Sequence, residues 1–269
     1  MVARAALTAK VRQFFVERNV LEVHTPTLGE STVTDPDVEA IPVADYGYLQ
    51  TSPEYYLKRL LAHGMPSCYQ LGPVFRHGER GRRHNPEFVM LEWYRLGFDH
   101  WQLMEEVADL VDLLLGDAPC QTIRYQEVVA PRLSEPFDEA DRQALDLAFA
   151  EGAEALTGRW FVTDYPLDQA VLARPHGETA ARFELVIDGL EIANGYWELQ
   201  DAVEHQHRFE ADLAIRAMRE LSQPAIDAKF LAAMASGLPD CAGVALGLDR
   251  LMMLALKKRG LDGVMAFRE

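Results

Sequence analysis

The chain has 269 residues, 49% of them hydrophobic, and a formal net charge of −16. That apolar share supplies a sizeable core and excludes intrinsic disorder, and the acidic balance argues against a broad grip on nucleic acid. No apolar run reaches the roughly 18–20 residues a membrane span requires. Cys68, Cys120 and Cys241 stand alone, without the spacing of a zinc site or a disulfide framework. These features predict a cytoplasmic protein with no stable nucleic-acid binding and no membrane association.

In chain order, Leu7, Val11, Phe14 and Phe15 recur at helical spacing and predict a helix over 4–19 rather than a targeting peptide. Leu21 to Leu28 alternates like a strand, with Pro26 confined to an edge or interface. The acidic, proline-bearing stretch 29–46 predicts an active-site loop. Ser52 reads as an N-cap, Pro53 as the first helical residue and Glu54 as part of the first turn of a helix running through Leu61. Strands are predicted at 67–75 and 87–96, and helices at 100–116 and 141–156. Further strands at 181–187 and 190–192 flank the hairpin signal Asp188-Gly189. A charged helix over 202–220, a strand over 243–248 and a helix over 250–258 follow. In Glu204-His205-Gln206-His207 the two histidines are two residues apart, so on a helix they diverge and do not form a metal pair. Hairpins interleaved with helices predict an α+β fold built on an antiparallel sheet flanked by helices, with residues 1–269 as one domain.

Two distant segments carry the chemistry. Gly72–Glu79 continues into His84-Asn85-Pro86-Glu87-Phe88 and offers an arginine at a strand end, a cationic loop and an aromatic ring. Gly243–Arg250 is a glycine-bearing strand that delivers one arginine to a helix. Arginine forks bind phosphate oxygens, and guanidinium and phenyl planes stack on bases. The pair suits a nucleoside triphosphate, although no Gly-x-x-x-x-Gly-Lys or Gly-x-Gly-x-x-Gly is present.

Val11–Pro26, Phe75-Arg76 through Tyr94, and Gly247-Leu-Asp-Arg250-Leu follow the order of motifs 1, 2 and 3 of the class II aminoacyl-tRNA synthetases. Glu191-Ile-Ala-Asn194-Gly-Tyr-Trp-Glu198-Leu resembles the segment typical of their lysyl members. The resemblance spans nearly the whole chain. Motif 1 begins almost at Met1, so no anticodon-binding domain is expected. The chain therefore most resembles the stand-alone lysyl-type paralogues, which ligate (R)-β-lysine to a lysine of translation elongation factor P. Ala245 stands where lysyl-tRNA synthetases usually have glycine, and its methyl would narrow the pocket in favour of a β-amino acid.

The resemblance implies activation of lysine or (R)-β-lysine by ATP, with Mg²⁺, in a homodimeric ligase whose acceptor is elongation factor P. Arg76 would bridge the substrate carboxylate and the α-phosphate. Arg250 would bind the γ-phosphate and lie against adenine, opposite Phe88. Arg83, His84 and Asn85 would hold the triphosphate and nucleotide, beside Ile192 and Gly247. Glu191 and Glu198 would hold the metal. Glu54, flanked by Ser52 and Pro53, would take the ammonium near the carboxylate. Glu92, Tyr94 and Glu198 would take the distal one, with Asn194 and Ala245 shaping the wall.

One departure stands out. The usual motif 2 acid falls at Gly78, and here the acid comes one residue later, at Glu79. Either Glu79 replaces it, or backbone atoms of His77 and Gly78 read the adenine. A tRNA-charging enzyme and a catalytically silent ligand-binding regulator are the competing readings.

Overall fold

A computed structural model describes residues 1–268. The elements are α1 (Val2–Glu17), β1 (Leu21–Glu22), β2 (Leu28–Gly29), β3 (Ile41–Val43), β4 (Gly47–Leu49), α2 (Glu54–Ala62), β5 (Cys68–Phe75), β6 (Glu87–Leu96) and α3 (His100–Leu115). There follow β7 (Cys120–Arg124), α4 (Tyr125–Val129), α5 (Arg142–Glu154), β8 (Arg159–Thr163), β9 (Pro175–His176), β10 (Thr179–Ala180), β11 (Arg182–Ile187) and β12 (Leu190–Trp197). The chain continues with α6 (Ala202–Met218), α7 (Ala228–Gly237), β13 (Cys241–Gly247) and α8 (Leu248–Ala255).

Eight strands form one sheet in the order β1-β5-β6-β13-β12-β11-β8-β7. Every pair is antiparallel except the two at the edges, β1 with β5 and β7 with β8. The predicted α+β architecture is therefore present, with parallel edges that the hairpin pattern did not indicate.

Alternation along the central strands separates the two faces. Leu91 and Trp93 of β6, Val244 and Leu246 of β13, and Phe183 and Leu185 of β11 join one apolar cluster with Phe15 of α1, Val107 of α3 and Met252 of α8. Each of these buried side chains contributes on the order of 1.5–3 kcal/mol. The intervening residues Glu92, Tyr94, Gly243, Ala245, Arg182 and Glu184 face the other way. There α2, α6 and α7 cover the sheet through a second cluster that includes Leu57, Phe209 and Phe230. Its middle stays open and polar.

The predicted strand over 21–28 is broken at Pro26 into two-residue pieces belonging to different sheets, because proline cannot donate to a ladder. The acidic stretch after it forms part of the β2-β4-β3 sheet, and its residues Val33–Val38 line the open middle. α2 begins at Glu54, one residue later than the capping pattern implies: Pro53 is the N-cap and Ser52 Oγ accepts from the Glu54 N–H at 3.2 Å. α8 begins at Leu248 directly after β13, so Arg250 sits within its first turn. Short elements without a long period escaped the sequence reading, namely β3, β4, β7, α4, β8, β9, β10 and α7. α7 carries only Phe230, Ala233 and Met234 as its buried stripe and is capped by Asp227, which accepts from the Phe230 N–H. No helix of the described residues is long and apolar enough to cross a membrane.

Candidate active site

The open face of the sheet floors a cavity of about 750 Å³. Most of the sequence-predicted site residues line it: Ser52, Glu54, Arg76, Glu79, Arg83, His84, Asn85, Phe88, Glu92, Tyr94, Glu191, Ile192, Asn194, Glu198, Ala245, Gly247 and Arg250. Pro53, His77 and Gly78 do not.

One end of the cavity is a buried acidic pocket. Register places Glu92 of β6 opposite Ala245 of β13, and Ala245 opposite Asn194 of β12. Tyr94 donates to Glu92 Oε1 at 2.9 Å, while Glu92 Oε2 and Glu198 Oε1 are buried without a hydrogen-bond partner. Glu198 lies just beyond β12 and is fully buried. Its Oε2 sits 2.6 Å from Lys58 Nζ, which also donates to Glu54 Oε1 at 2.7 Å. Burial raises Glu92 well above the usual carboxylate range, with the Glu54 charge adding to it. Burial likewise pushes Glu198 up to about 7, against the pull of the Lys58 ammonium. Lys58 itself stays protonated, because the two carboxylates outweigh the penalty of its own burial. The pocket has room because residue 243 has no side chain: a Cβ there would stand 2.3 Å from Tyr94 Cε1 and 2.5 Å from Glu198 Oε1.

Arginines dominate the other end. Arg76, at the end of β5, lies with its guanidinium carbon 5.3 Å from the Phe88 ring centroid, and its Nη1 donates to Glu79 Oε1 at 3.5 Å. Arg250 donates to the carbonyl oxygens of Glu191 at 3.0 Å and Arg83 at 3.4 Å. Burial and the Arg250 charge lower the His84 ring below its ordinary value, so it is neutral at pH 7. Asn85 is buried and donates to the Glu87 carbonyl, with its Oδ1 unpartnered.

At the motif 2 departure the His77 N–H donates to the Glu39 carbonyl at 2.8 Å, so the acceptors left for an adenine amino group are backbone carbonyls and Glu79. Gly78 has φ +78°, a left-handed turn that delays the acid by one residue, and Glu79 faces the cavity. The arginines of the cationic loop go to different places. Arg83 lines the main cavity, Arg80 lines a smaller one with Met1, Phe75 and Phe267, and Arg82 packs against Gly260.

Glu191 and Glu198, the expected metal pair, both line the cavity but stand apart along the strand. Seven residues of strand, on the order of 20 Å, separate them, and Glu198 is engaged with Lys58. Instead Glu191 acts on Glu184. Burial pushes Glu184 up to about 7, and the Glu191 charge contributes to the rise. The pairing of β11 with β12 skips Ile192, since Leu185 faces Ala193 while Val186 faces Glu191. This bulge turns Glu191 onto the cavity face, together with Asn194 and Tyr196. Glu184 lies beside its cross-strand partner Asn194, paired with Arg182 at 2.6 Å. No cluster of three or more metal-ligating side chains occurs among the described residues. Two carboxylates that repel each other beside a triphosphate-sized cavity nevertheless fit Mg²⁺, a hard cation that takes most of its ligands from water and phosphate.

Sequence reasoning missed Lys58, Glu184, Arg182 and Asp249. Asp249 is buried; it accepts from the Val89 N–H at 2.7 Å and pairs with Arg4 of α1. Glu184 carried a signal, since it precedes Glu191 by the same seven residues that separate Glu191 from Glu198.

A family model described as "tRNA synthetases class II (D, K and N)" matches residues 1–269. Among curated proteins, "Elongation factor P--(R)-beta-lysine ligase" of Yersinia pestis (strain Pestoides F) is 42% identical over 305 aligned positions, covering 99% of this chain and 94% of that protein. The ligase of the same name from Yersinia pseudotuberculosis serotype O:1b (strain IP 31758) matches with the same identity and coverage.

Proposed function

The chain belongs to the class II tRNA synthetases of the D, K and N group, and from that membership we propose that it activates (R)-β-lysine, or lysine, with ATP and transfers it to a lysine side chain of translation elongation factor P. The observation that carries this reading is the buried pocket with two unpartnered carboxylate oxygens, Glu92 Oε2 and Glu198 Oε1. Buried acceptors without donors are costly, and the two ammonium groups of a diamino acid supply the missing donors. The 42% identity to ligases named for this reaction supports the same substrate and acceptor.

In the first step the substrate carboxylate oxygen attacks the α-phosphorus. A P–O bond forms, the bond to pyrophosphate breaks, and no base is needed. The work is positioning and charge stabilisation. Arg76, held by the Thr51 carbonyl and Glu79, spans the carboxylate and the α-phosphate. Arg250 faces the phosphate tail, and Phe88 stacks on the adenine. Glu184 and Glu191 would hold Mg²⁺, which supplies neutralising charge to the phosphates. In the second step the acceptor amine attacks the carbonyl carbon, AMP leaves, and the amine loses a proton.

Residues 1–269 act in this reading as one catalytic domain. The exposed apolar side chains of Met1, Val2, Val16, Leu21 and Phe267 support a homodimer joined near α1. Incubation with ATP, (R)-β-lysine and unmodified elongation factor P should add the mass of one β-lysyl group to the acceptor. An unchanged acceptor mass overturns the reading.

A further inference from the structure

The substrate roles leave one charged group of the acidic pocket without a task. Lys58 follows Glu54 by one turn of α2, so its side chain returns over the same face. It is fully buried, and its single Nζ sits 2.7 Å from Glu54 Oε1 and 2.6 Å from Glu198 Oε2. The two oxygens can therefore be no further apart than those two contacts laid end to end. They are the two acids that meet opposite ends of the diamino acid. At that spacing, with no cation between them, the two carboxylates repel each other.

We propose that Lys58 is a positioning residue for substrate specificity, a resident ammonium that ties Glu54 to Glu198, offsets their mutual repulsion and holds both oriented to receive the substrate's own ammonium groups. The inference rests on the reading of this pocket as the diamino-acid site.

The surroundings support this role. From β6, Glu92 and Tyr94 face the pocket; from α6, His205; from β13, Cys241; and Arg174 donates to the Glu198 carbonyl at 2.9 Å. Burial, with the Lys58 charge adding to it, lowers His205 to about 3, so it stays neutral near pH 7. Burial raises Tyr94 and Cys241 above their ordinary values, so they stay protonated. Lys58 is thus the only ammonium in contact with both acids among the described residues, since Arg174 reaches Glu198 through the backbone.

The test is amino-acid-dependent ATP–pyrophosphate exchange at pH 6–9, with lysine and with (R)-β-lysine. Wild-type exchange tests the underlying reading, which fails if neither amino acid supports it, whatever Lys58 does. Given exchange, Lys58→Met, close in volume to lysine, should raise the amino-acid KM about tenfold or more at pH 7, one pKa unit of lost charge stabilisation. Its KM for ATP should stay within twofold, and part of the loss should return by pH 9 as the second carboxylate ionises. Lys58→Ala should be rescued by n-propylammonium, which restores the missing methylenes and charge, and not by n-propanol. An unchanged amino-acid KM, or a loss insensitive to both pH and propylammonium, overturns the proposal. Should neither variant fold, the ¹⁵Nζ resonance of Lys58 in the wild-type protein decides: it should shift on titration with lysine, and an unmoved signal overturns the proposal.

Discussion

Gly243 of β13 lies directly opposite Tyr94 of β6, and the phenol ring fills the place where a side chain on residue 243 would stand. The pocket therefore depends on an absent methyl as much as on its acids. Gly243→Ala should press on both Tyr94 and Glu198, at 2.3 and 2.5 Å. Overpacking of this kind costs about 1–3 kcal/mol. The expected outcome is a modest fall in Tm with amino-acid-dependent exchange reduced at least about a hundredfold, since a 1 Å misplacement in a positioned site carries such a loss. Thermal melts and exchange kinetics on the same preparation check it.

Glu198, raised to about 7 by burial, is a mixture of acid and carboxylate near neutral pH. An arriving ammonium favours the carboxylate, so binding of lysine should release a proton to buffer. Calorimetry at pH 6.5 in two buffers of different ionisation enthalpy should give different apparent enthalpies, and Glu198→Gln should reduce the difference. The sign also fixes the pH trend: below about 7 the carboxyl is neutral in the empty pocket, so the lysine KM should rise on acidification.

Ala245 is half-buried in the pocket wall, with Glu92 on one neighbouring strand and Asn194 on the other. Its methyl narrows the space where the amino group nearest the carboxylate lies. Ala245→Gly should shift the ratio of kcat/KM values from (R)-β-lysine toward α-lysine by several-fold to about tenfold, the scale of one methyl in a pocket. Parallel exchange assays with the two amino acids measure the ratio, and an unchanged ratio removes Ala245 from the specificity wall.

The metal assignment divides two acids by experiment. Glu184→Gln should raise the Mg²⁺ concentration for half-maximal exchange about tenfold or more while leaving the lysine KM near wild type. Glu198→Gln should do the reverse. A magnesium titration at fixed ATP, repeated at several lysine concentrations, separates the two patterns.

Asp249 joins three elements, through the backbone of β6, its own position in α8 and Arg4 of α1. Asp249→Ala leaves Arg4, itself mostly buried, without its partner. Breaking a buried pair costs about 3–5 kcal/mol, so the variant should melt well below wild type. The test is a urea or thermal unfolding curve, and a cost under 1 kcal/mol would show that the pair is dispensable.

Much of this was legible in the sequence because long periodic elements and fixed turn chemistry report themselves. α3 and α6, β5 and β6, and the Asp188-Gly189 hairpin lie within a few residues of their predicted places. The arginines and acids were legible because their residue types sit at strand ends in a recognisable order. Three things were not. Lys58 reads as an ordinary solvent-facing lysine on an amphipathic helix, and only tertiary packing shows that water cannot reach it. Glu184 is spaced from Glu191 across a hairpin, so their approach depends on strand pairing that spacing cannot reveal. Glu191 and Glu198 looked like partners because seven residues separate them, although an extended strand carries that spacing far apart.

The bulge at Ile192 has a further consequence for how this strand is read. A regular strand shows one face every second residue, so Glu191 would share the orientation of Ala193, toward the apolar layer. One unpaired residue changes the reading frame of the strand in space. The diamine half of the cavity is written in even-numbered residues, Asn194, Tyr196 and Glu198, and the nucleotide half in an odd one, Glu191. Removing Ile192 would put both halves in a single frame with Glu191 still opposite Val186 on the cavity face, whereas pairing every residue of the strand in turn would send the acid that meets the phosphates into the core.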